Sequence, residues 1–350
     1  MDSQEQFLES HARHLLSGVL KDPNVLAMHS HEGGGNNKVF VLEREGIPEY
    51  IVKQYFRHPS DPRDRFRAEW AFLQYAMDAG VSCIPRPIAC DPGRGIAIYE
   101  YVHGRSISAE DIRQDHIQQA MCFFEAINRE RCTGNRICLQ PAAEACFTLE
   151  DHVKSVERRI AKLVQMKIQA SVDNEAYEFV KRELIPRWHN LKDRICVKYE
   201  KELHFPESLS DRDTSISPSD FGFHNAIMTE TGKIVFIDFE YAGIDDPVKM
   251  ICDFFCQPDV PVSHKYLPLF SSRILGMTEK PDYHYQRMEL LFPLHTIKWC
   301  CIVLNEFLPV GRARRLFAKK NLDIEKRKEQ QLKKAKKLFS RVDETIDIKG

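Results

Sequence analysis

Short apolar runs that resemble β-strands dominate the first part of the chain. Two of them, Val39 to Leu42 and Tyr50 to Phe56, are rich in β-branched and aromatic residues. The Gly46-Ile47-Pro48 segment that separates them is a turn signal, so the pattern predicts a β-hairpin. Further along, Ile96 to Val102 has the same character and predicts another strand.

One helical stretch lies between these strands. Ser60-Asp61-Pro62 combines a capping residue with a proline, which is typical of a helix start. Beyond it, apolar side chains recur at Phe66, Trp70 and Leu73, the spacing that places them on one face of a helix. The pattern therefore predicts a helix in this region, and Glu69 lies on it.

After Gly104 the pattern changes from strands to helices. Apolar residues recur at helical spacing in the stretches Ile112 to Ile127, Leu149 to Leu163 and Tyr177 to Leu191. The basic tail from Arg312 to Arg341 has the same spacing. We expect this tail to form an amphipathic helix that packs one face on the helical part, rather than one that lies on anionic lipid.

A short strand pair interrupts the helical part. Residues 225–228 and 234–238 are two β-like runs around a Thr-Gly turn. Asp220 stands just before the pair, while Asn225 and Asp238 are its first and last residues. A hairpin of this kind is expected to present these polar side chains together.

Composition places the chain among globular proteins. It has 350 residues, 43% of them hydrophobic, and its 50 Lys and Arg balance 51 Asp and Glu to give a net charge of -1. The apolar content excludes a disordered tail or a small disulfide scaffold. Because nucleic-acid binders depend on excess Lys and Arg, the near-zero charge also argues against a nucleic-acid partner.

The sequence shows no targeting or membrane signal. The N-terminus lacks the basic cap and apolar run of a secretion signal, and the apolar stretch from Leu290 to Leu304 is interrupted by Pro293, His295 and Lys298. The 11 cysteines are an odd number without a CxxC pair. These features predict a cytoplasmic protein with reduced thiols and without stable membrane insertion.

The strand pair carries the residues best suited to chemistry. Mg²⁺ usually takes one or two protein oxygen ligands and completes its shell with phosphate oxygens and water, and Asn225 and Asp238 suit that role. Asp220 would then be free to accept the proton of an attacking hydroxyl. The alternative is that these residues are turn formers and caps. A lysine on an upstream strand favours the metal site over this alternative. His224, beside Asn225, is assigned a packing role.

That upstream lysine is Lys53. On an alternating strand it shares a side with Ile51 and Tyr55, which places a charge among apolar neighbours. Such a lysine needs an anion, and Glu69 is the expected partner that would hold Lys53 toward the phosphates of a nucleotide. The alternative is a lysine that protects an edge strand from aggregation.

Three consecutive glycines precede the hairpin. Gly33, Gly34 and Gly35 would let backbone N–H groups approach phosphate oxygens closely. The alternative is a flexible turn, and three glycines alone are weak evidence for a phosphate site. No GxxxxGK[ST] string occurs, which sets aside the P-loop folds, and no GxGxxG follows a first strand.

The order of these parts is that of a kinase. The chain resembles the aminoglycoside phosphotransferase and choline kinase-like family of small-molecule kinases, through Ser217 to Asn225 and Ile237 to Pro247. The resemblance extends over residues 22–304. It implies an α+β, bilobal protein-kinase-like fold with a small antiparallel-sheet N-lobe, residues 1–103, and a mainly helical C-lobe, residues 104–350.

The resemblance also implies roles for individual residues. Asp220 would be the catalytic base, Asn225 and Asp238 the Mg²⁺ ligands, and Lys53 a ligand of the nucleotide phosphates. Asp253 would brace the catalytic loop from a helix. The adenine of ATP would lie against the backbone of Glu100, Tyr101 and Val102; GTP stays open as an alternative.

The chain departs from the family pattern at two points of the catalytic loop. Pro218 stands where the family usually has histidine, and Gly222-Phe223 stands where it often has His-Pro. These changes keep a catalytically silent nucleotide-binding scaffold open as an alternative function. A protein kinase is disfavoured, because Glu240 replaces the usual glycine and no Ala-Pro-Glu string follows.

The acceptor is predicted only by class, as a hydroxyl of a sugar, an aminoglycoside-like molecule or an amino alcohol. One argument for an amine-bearing acceptor is a surplus of acidic residues around the strand pair, namely Asp211, Asp213, Glu240, Asp245 and Asp246. The alternative is that several of these residues only cap turns. The oligomeric state stays open.

Overall fold

The N-terminal part of the molecule is built on an antiparallel sheet. The computed structural model describes residues 3–22, 26–31, 36–59, 61, 63–129, 139–199, 208–318, 323–344 and 348. Five strands pair in the order β1-β2-β3-β5-β4. They are β1 (Leu26–Ser30), β2 (Lys38–Arg44), β3 (Ile47–Gln54), β4 (Pro87–Asp91) and β5 (Ile96–Glu100).

The predicted hairpin is confirmed as β2 and β3. Its turn consists of Glu45 and Gly46, both with positive φ, 52° and 80°. Two successive positive φ angles are the signature of the tight turn whose twist matches that of the flanking strands. The register pairs Val39 with Lys53, which fixes where the lysine lies in the sheet.

Helix α2 (Arg65–Asp78) follows the hairpin and carries Glu69, as predicted, but it begins later than the sequence suggests. Its N-cap is Asp64, whose side chain accepts a hydrogen bond from the backbone N–H of Arg67. Asp61, taken for part of the helix start, instead holds Arg63 and Arg65. Asp61 is thus used in ion pairs with two nearby arginines, and Asp64 caps the helix instead.

A small hydrophobic core lies between α1 and one face of the sheet. Helix α1 (Ser3–Leu16) packs against β4. Its residues Leu8, Ala12 and Leu16 are buried with Leu42 and Val52 of the hairpin. The sheet is thus covered on both faces, by α1 on one and by α2 on the other.

The helical part is organised around one long helix. Its helices are α3 (Gln114–Asn128), α4 (Leu149–Leu163), α5 (Ser171–Phe179), α6 (Ile185–Lys198), α7 (Pro247–Cys256), α8 (Leu267–Leu275), α9 (Pro281–Val303), α10 (Pro309–Ala318) and α11 (Ile324–Phe339). Helix α9 packs against α4, α7 and α11. The helical stretch Pro281–Phe307 is long and apolar enough to cross a membrane, but 83% of its most apolar window is buried inside the protein. It is therefore the core helix of this part.

Short strands form the interruption in the helical part. Strands β8 (Ala226–Met228) and β9 (Ile234–Phe236) make the predicted hairpin, and β6 (Arg105–Ser106) joins it. Strand β7 (Ser215–Ser217) pairs with β10 (Gly243–Asp245). The sequence pattern does not predict β4, β6 or β10.

The two C-terminal helices, α10 and α11, pack on different parts of the fold. The predicted amphipathic packing is confirmed, because Leu332, Ala335 and Leu338 of α11 are buried and the helix packs on α9. Helix α10 instead reaches the sheet, where the ring of its Phe317 lies 5.5 Å from that of Phe56. The C-terminal end of the chain therefore contacts both parts of the fold.

Candidate active site

Lys53 stands at the centre of the site. The residue is 8% exposed, and its Nζ donates to Glu69 Oε2 at 2.7 Å and to Asp238 Oδ1 at 2.5 Å. Burial alone would lower the pKa of Lys53, but the carboxylates of Asp238 and Glu69 outweigh it and raise this pKa well above its usual value. The lysine is therefore a fixed positive charge that joins the sheet to the segment after β9.

Glu69 is held from several sides. The hydroxyl of Tyr55 donates to Glu69 Oε2 at 2.6 Å, and the two hydroxyls of Tyr55 and Tyr99 lie 2.6 Å apart. The backbone N–H of Phe239 donates to the other carboxylate oxygen, Oε1, at 3.3 Å. Sequence reasoning missed the two tyrosines, although Tyr55 follows Lys53 on the same face of the strand.

Asp238 lies directly after β9, where the backbone changes direction. Its φ is 66°, a left-handed conformation that is uncommon outside glycine and is concentrated at functional sites. The preceding residue, Ile237, donates its N–H to the carbonyl of Asn225 at 2.9 Å. This contact ties the end of β9 to the start of β8 and brings Asp238 to Asn225.

Asp220 and Asn225 belong to one tight loop. The amide Nδ2 of Asn225 donates to the backbone carbonyl of Asp220 at 2.9 Å, so the amide oxygen is the atom left for a cation. Ser219, just before Asp220, has a φ of 68° and donates its N–H to Ser217 Oγ. About a third of the side chain is exposed in both Asp220 and Asp238, 32% and 31%. The structure thus brings together the three polar residues singled out in the sequence.

His224 does more than pack. Its Nε2 lies 3.2 Å from Asp220 Oδ1, and its Nδ1 is buried without a hydrogen-bond partner among the described residues. Burial lowers the pKa of His224, but the facing Asp220 carboxylate outweighs this and raises it. Gly222 makes room for the ring, since a Cβ there would lie 2.7 Å from Nδ1.

The remaining predicted residues have different positions. Gly33, Gly34 and Gly35 lie outside the described residues. Glu100 forms an exposed ion pair with Arg86 at 2.9 Å, and its N–H donates to the carbonyl of the same arginine. The N–H of Tyr101 donates to the carbonyl of Glu49. In the segment 100–102, which is predicted to contact the adenine, these two N–H groups therefore already donate hydrogen bonds within the protein.

Asp253 does not brace the catalytic loop. It is buried, and its contacts among the described residues run to Lys249 and to three residues of α9. They are His295 at 3.2 Å, Lys298 at 2.7 Å and Trp299 at 2.8 Å. Burial opposes ionisation, but Lys298 and Lys249 outweigh it and hold the pKa of Asp253 well below its usual value. This aspartate anchors α7 to the core helix, so the role implied by the resemblance is wrong here.

The acidic surplus near the strand pair does not form an acidic surface. Asp213 pairs with His284 at 3.1 Å, Asp245 with Lys249 at 2.5 Å, and Asp246 with Arg287. Glu240 is 1% exposed and accepts from two asparagines of the sheet. Since these four carboxylates have buried partners, they supply no argument for an amine-bearing acceptor. Asp211 is exposed in a turn.

Comparisons with known proteins matched the chain at the level of family and of fold. The model of a phosphotransferase enzyme family matches residues 29–256. No curated protein matches the chain.

Solved structures show the same fold at low sequence identity. One is a choline/ethanolamine kinase family protein from Mesorhizobium loti, with 15% identity, coverage of 96% of this chain and 97% of that chain, and a TM-score of 0.57. A Plasmodium vivax ethanolamine kinase has 14% identity, covers 93% and 87%, and has a TM-score of 0.56. A spectinomycin phosphotransferase in complex with ADP and spectinomycin has 11% identity, covers 95% and 97%, and has a TM-score of 0.58. They confirm the kinase-like fold predicted from the sequence.

Proposed function

Because the chain belongs to the phosphotransferase enzyme family, we propose that it transfers the γ-phosphoryl group of ATP, bound with Mg²⁺, to a hydroxyl of a small molecule. The observation that carries this proposal is the contact of Lys53 with Asp238. A buried lysine of the sheet meets the aspartate that follows β9, in the arrangement that phosphoryl transfer needs to neutralise charge.

The donor set at the loop fits Mg²⁺. Asp238 offers a carboxylate of which only one oxygen is bound to Lys53, and Asn225 offers its amide oxygen. Two protein oxygen ligands are what Mg²⁺ usually takes when phosphates complete its shell. When bound, the ion would neutralise charge on the transferred group. Asn225 and Asp238 would hold it in place.

Asp220 is proposed as the base. Its carboxylate is partly exposed and lies on the loop that also carries Asn225, so an acceptor hydroxyl can approach it beside the metal site. Asp220 would accept the hydroxyl proton as the oxygen attacks phosphorus. His224 contacts the same carboxylate and fixes its orientation.

The nucleotide is proposed to lie between the two parts of the fold, residues 1–103 and 104–350. Lys53, oriented by Glu69, would contact the phosphates, and Gly33, Gly34 and Gly35 would cover them. The base would lie against Glu100, Tyr101 and Val102. Since the N–H groups of Glu100 and Tyr101 are bonded within the protein, the base would use carbonyl oxygens or the amide of Val102. GTP in place of ATP stays open as an alternative nucleotide.

The acceptor is proposed to be a sugar, an aminoglycoside-like molecule or an amino alcohol. The similar structures support this class, because they include an ethanolamine kinase and a phosphotransferase with bound spectinomycin. We also propose a reducing, cytoplasmic location. Nine cysteines are free thiols in the part of the chain that the structure describes, which supports this location.

A silent nucleotide-binding scaffold is the competing function, because of Pro218 and Phe223 in the loop. Phe223 is fully buried, with its ring 5.6 Å from that of Phe254 and 6.4 Å from that of Phe236. It therefore packs beneath the loop and leaves the carboxylate of Asp220 accessible, which favours an enzyme.

Coupled measurement of ATP consumption with a panel of hydroxylated sugars, aminoglycosides and amino alcohols tests the proposal. An acceptor that raises consumption, with a phosphorylated product found by mass spectrometry, supports it. Nucleotide binding without transfer to any member of the panel and without slow ATP hydrolysis would favour the scaffold. Phosphate transfer to a generic protein substrate would favour a protein kinase.

A further inference from the structure

Glu240 stands two residues beyond Asp238 and connects that segment to the sheet. Its carboxylate is buried, and each oxygen accepts one side-chain amide. Asn36 Nδ2 donates to Oε1 at 2.5 Å, and Asn37 Nδ2 donates to Oε2 at 2.5 Å. We call Asn36, Asn37 and Glu240 the asparagine clamp.

The clamp contacts a bend in the backbone. Consecutive residues of an extended strand point to opposite sides. Asn36 and Asn37 are consecutive, yet both reach the same carboxylate, and they form a bend directly before β2. Glu240 therefore contacts the chain directly before it enters β2.

Other contacts fix which atom each asparagine presents. Asn37 Oδ1 accepts the backbone N–H of Phe56 at 3.1 Å, and Arg315 of α10 lies 3.4 Å from Asn36 Oδ1. Because the oxygens face donors, both amide nitrogens face Glu240. The asparagines thus have little freedom to turn away from the carboxylate.

The buried charge of Glu240 is balanced locally. Arg65 is 1% exposed, and its Nε lies 3.7 Å from Glu240 Oε1. Arg65 is itself held by Asp61 at 2.6 Å. Two amide donors and a nearby guanidinium compensate for the cost of burying a carboxylate. A neutral side chain of the same shape would be enough to fill the space. The carboxylate therefore indicates that its hydrogen bonds to Asn36 and Asn37 have a role of their own.

We propose that Glu240 is a positioning residue that, through Asn36 and Asn37, holds the entrance of β2 against the segment carrying Asp238, and so forms the phosphate side of the cleft before nucleotide binds. This inference rests on the proposed function. Gly33, Gly34 and Gly35 directly precede Asn36 in the sequence, and Lys53 on β3 lies beside β2. The clamp therefore connects the elements proposed to contact phosphates with the metal ligand.

Hydrogen exchange without nucleotide tests the link itself. Glu240→Gln leaves one side-chain nitrogen facing an asparagine nitrogen, so one bond is lost. We expect faster amide exchange in residues 36–44 and in 238–246 of this variant. Asn37→Ala should give the same result. In the double variant, the increase in amide exchange should be smaller than the sum of the increases in the two single variants. Glu43→Gln, the same change on β2 outside the clamp, is the matched control and should leave exchange in 238–246 unchanged.

Calorimetry tests the consequence for the nucleotide. Glu240→Gln should weaken binding of a non-hydrolysable ATP analogue with Mg²⁺ about tenfold, the effect of losing one hydrogen bond to a charged group. The KM of the acceptor should stay unchanged. Asn36→Ala, which keeps the Glu240 carboxylate, should also weaken binding of the ATP analogue. This variant replaces Glu240→Gln in the test if Glu240→Gln does not fold.

Three results would overturn the proposal. Wild-type exchange and wild-type affinity in Glu240→Gln would show that the clamp positions nothing. Loss of the Mg²⁺ dependence of nucleotide binding in this variant would make Glu240 a metal ligand instead. Faster amide exchange in only one of the segments 36–44 and 238–246, in every variant, would show that the clamp does not connect the two segments. If the wild-type protein bound no nucleotide, the proposed function would fail, and the exchange experiment would still decide whether Glu240 holds the two segments together.

Discussion

Lys53 Nζ and Asp238 Oδ1 lie 2.5 Å apart, although 185 positions separate the two residues in the chain. The contact joins β3 of the sheet to the segment that follows β9. Asp238 can reach it because of its left-handed backbone, and Lys53 because Glu69 holds the ammonium from the other side. The side chains proposed to bind phosphate and Mg²⁺ thus form one connected unit.

Replacing Lys53 with methionine should break this unit. The change removes the positive charge but keeps the length of the side chain, and it leaves Glu69 and Asp238 without their shared cation. We expect kcat to fall about 10²- to 10³-fold, as for the loss of one preorganised electrostatic contact. Steady-state kinetics with Lys233→Met, an exposed lysine of the β8–β9 turn, provide the control. Wild-type kcat in Lys53→Met would remove the lysine from the proposed mechanism.

Asp220→Asn should separate binding from chemistry. The amide keeps the shape of the side chain but cannot accept the hydroxyl proton, so turnover should fall about 10²- to 10⁴-fold. The affinity for nucleotide with Mg²⁺ should persist, because Asn225 and Asp238 are unchanged. Rates and calorimetry on the same preparation measure both quantities. Asp115→Asn, on the exposed start of α3, is the control, and turnover retained in Asp220→Asn would exclude the base role.

Gly222→Ala should disturb Asp220 indirectly. A Cβ at this position would lie 2.7 Å from His224 Nδ1, so the imidazole must move away from the carboxylate that it contacts. We expect a lower kcat with little change in nucleotide affinity. Gly18→Ala is the matched control, since the nearest atom to a Cβ there is 4.0 Å away. Unchanged kcat in Gly222→Ala would show that the orientation of the ring has no influence on the base.

Acid should destabilise the protein through buried histidines. His295 lies between Asp253 and His152 in the core, and burial together with Lys298 lowers its pKa to about 3. Between about pH 6.5 and that value the unfolded chain binds a proton that the native state does not. The free energy of unfolding therefore falls with falling pH, by up to about 1.4 kcal/mol per pH unit for this one group.

Urea unfolding of His295→Gln between about pH 6.5 and 4.5 checks this contribution. The variant should lose part of the pH dependence, while His152 and His284, whose pKa values burial also lowers, retain the rest. His189→Gln, at an exposed position of α6, should keep the wild-type slope. An unchanged slope in His295→Gln would contradict the neutral, buried state of this histidine.

Local patterns predicted the elements whose signals lie within a few residues. The β2–β3 hairpin has its turn residues and alternation in one short stretch, and Asp220, Asn225 and Asp238 flank one visible hairpin. Strand β10 has only three residues and exists through pairing with β7, a partner distant in sequence, so no local pattern indicates it.

Contacts of buried charged residues with partners far away in the chain could not be predicted from the sequence for the same reason. Glu240 and Asn37 are 203 positions apart, and nothing near either residue indicates the other. The acidic residues after Asp238 look like a surface in the sequence, whereas Asp245 and Asp246 are buried against Lys249 and Arg287. Burial of a charge depends on a partner that only the fold supplies.

Binding of a non-hydrolysable ATP analogue, titrated by calorimetry with and without Mg²⁺ into the wild-type protein and Asp238→Ala, tests the central claim most directly. We expect Mg²⁺ to strengthen binding to the wild-type protein at least about tenfold, and to have no effect on Asp238→Ala, because the carboxylate ligand is missing. Affinity that depends equally on Mg²⁺ in both proteins would contradict the metal site at Asp238, and with it the proposed mechanism.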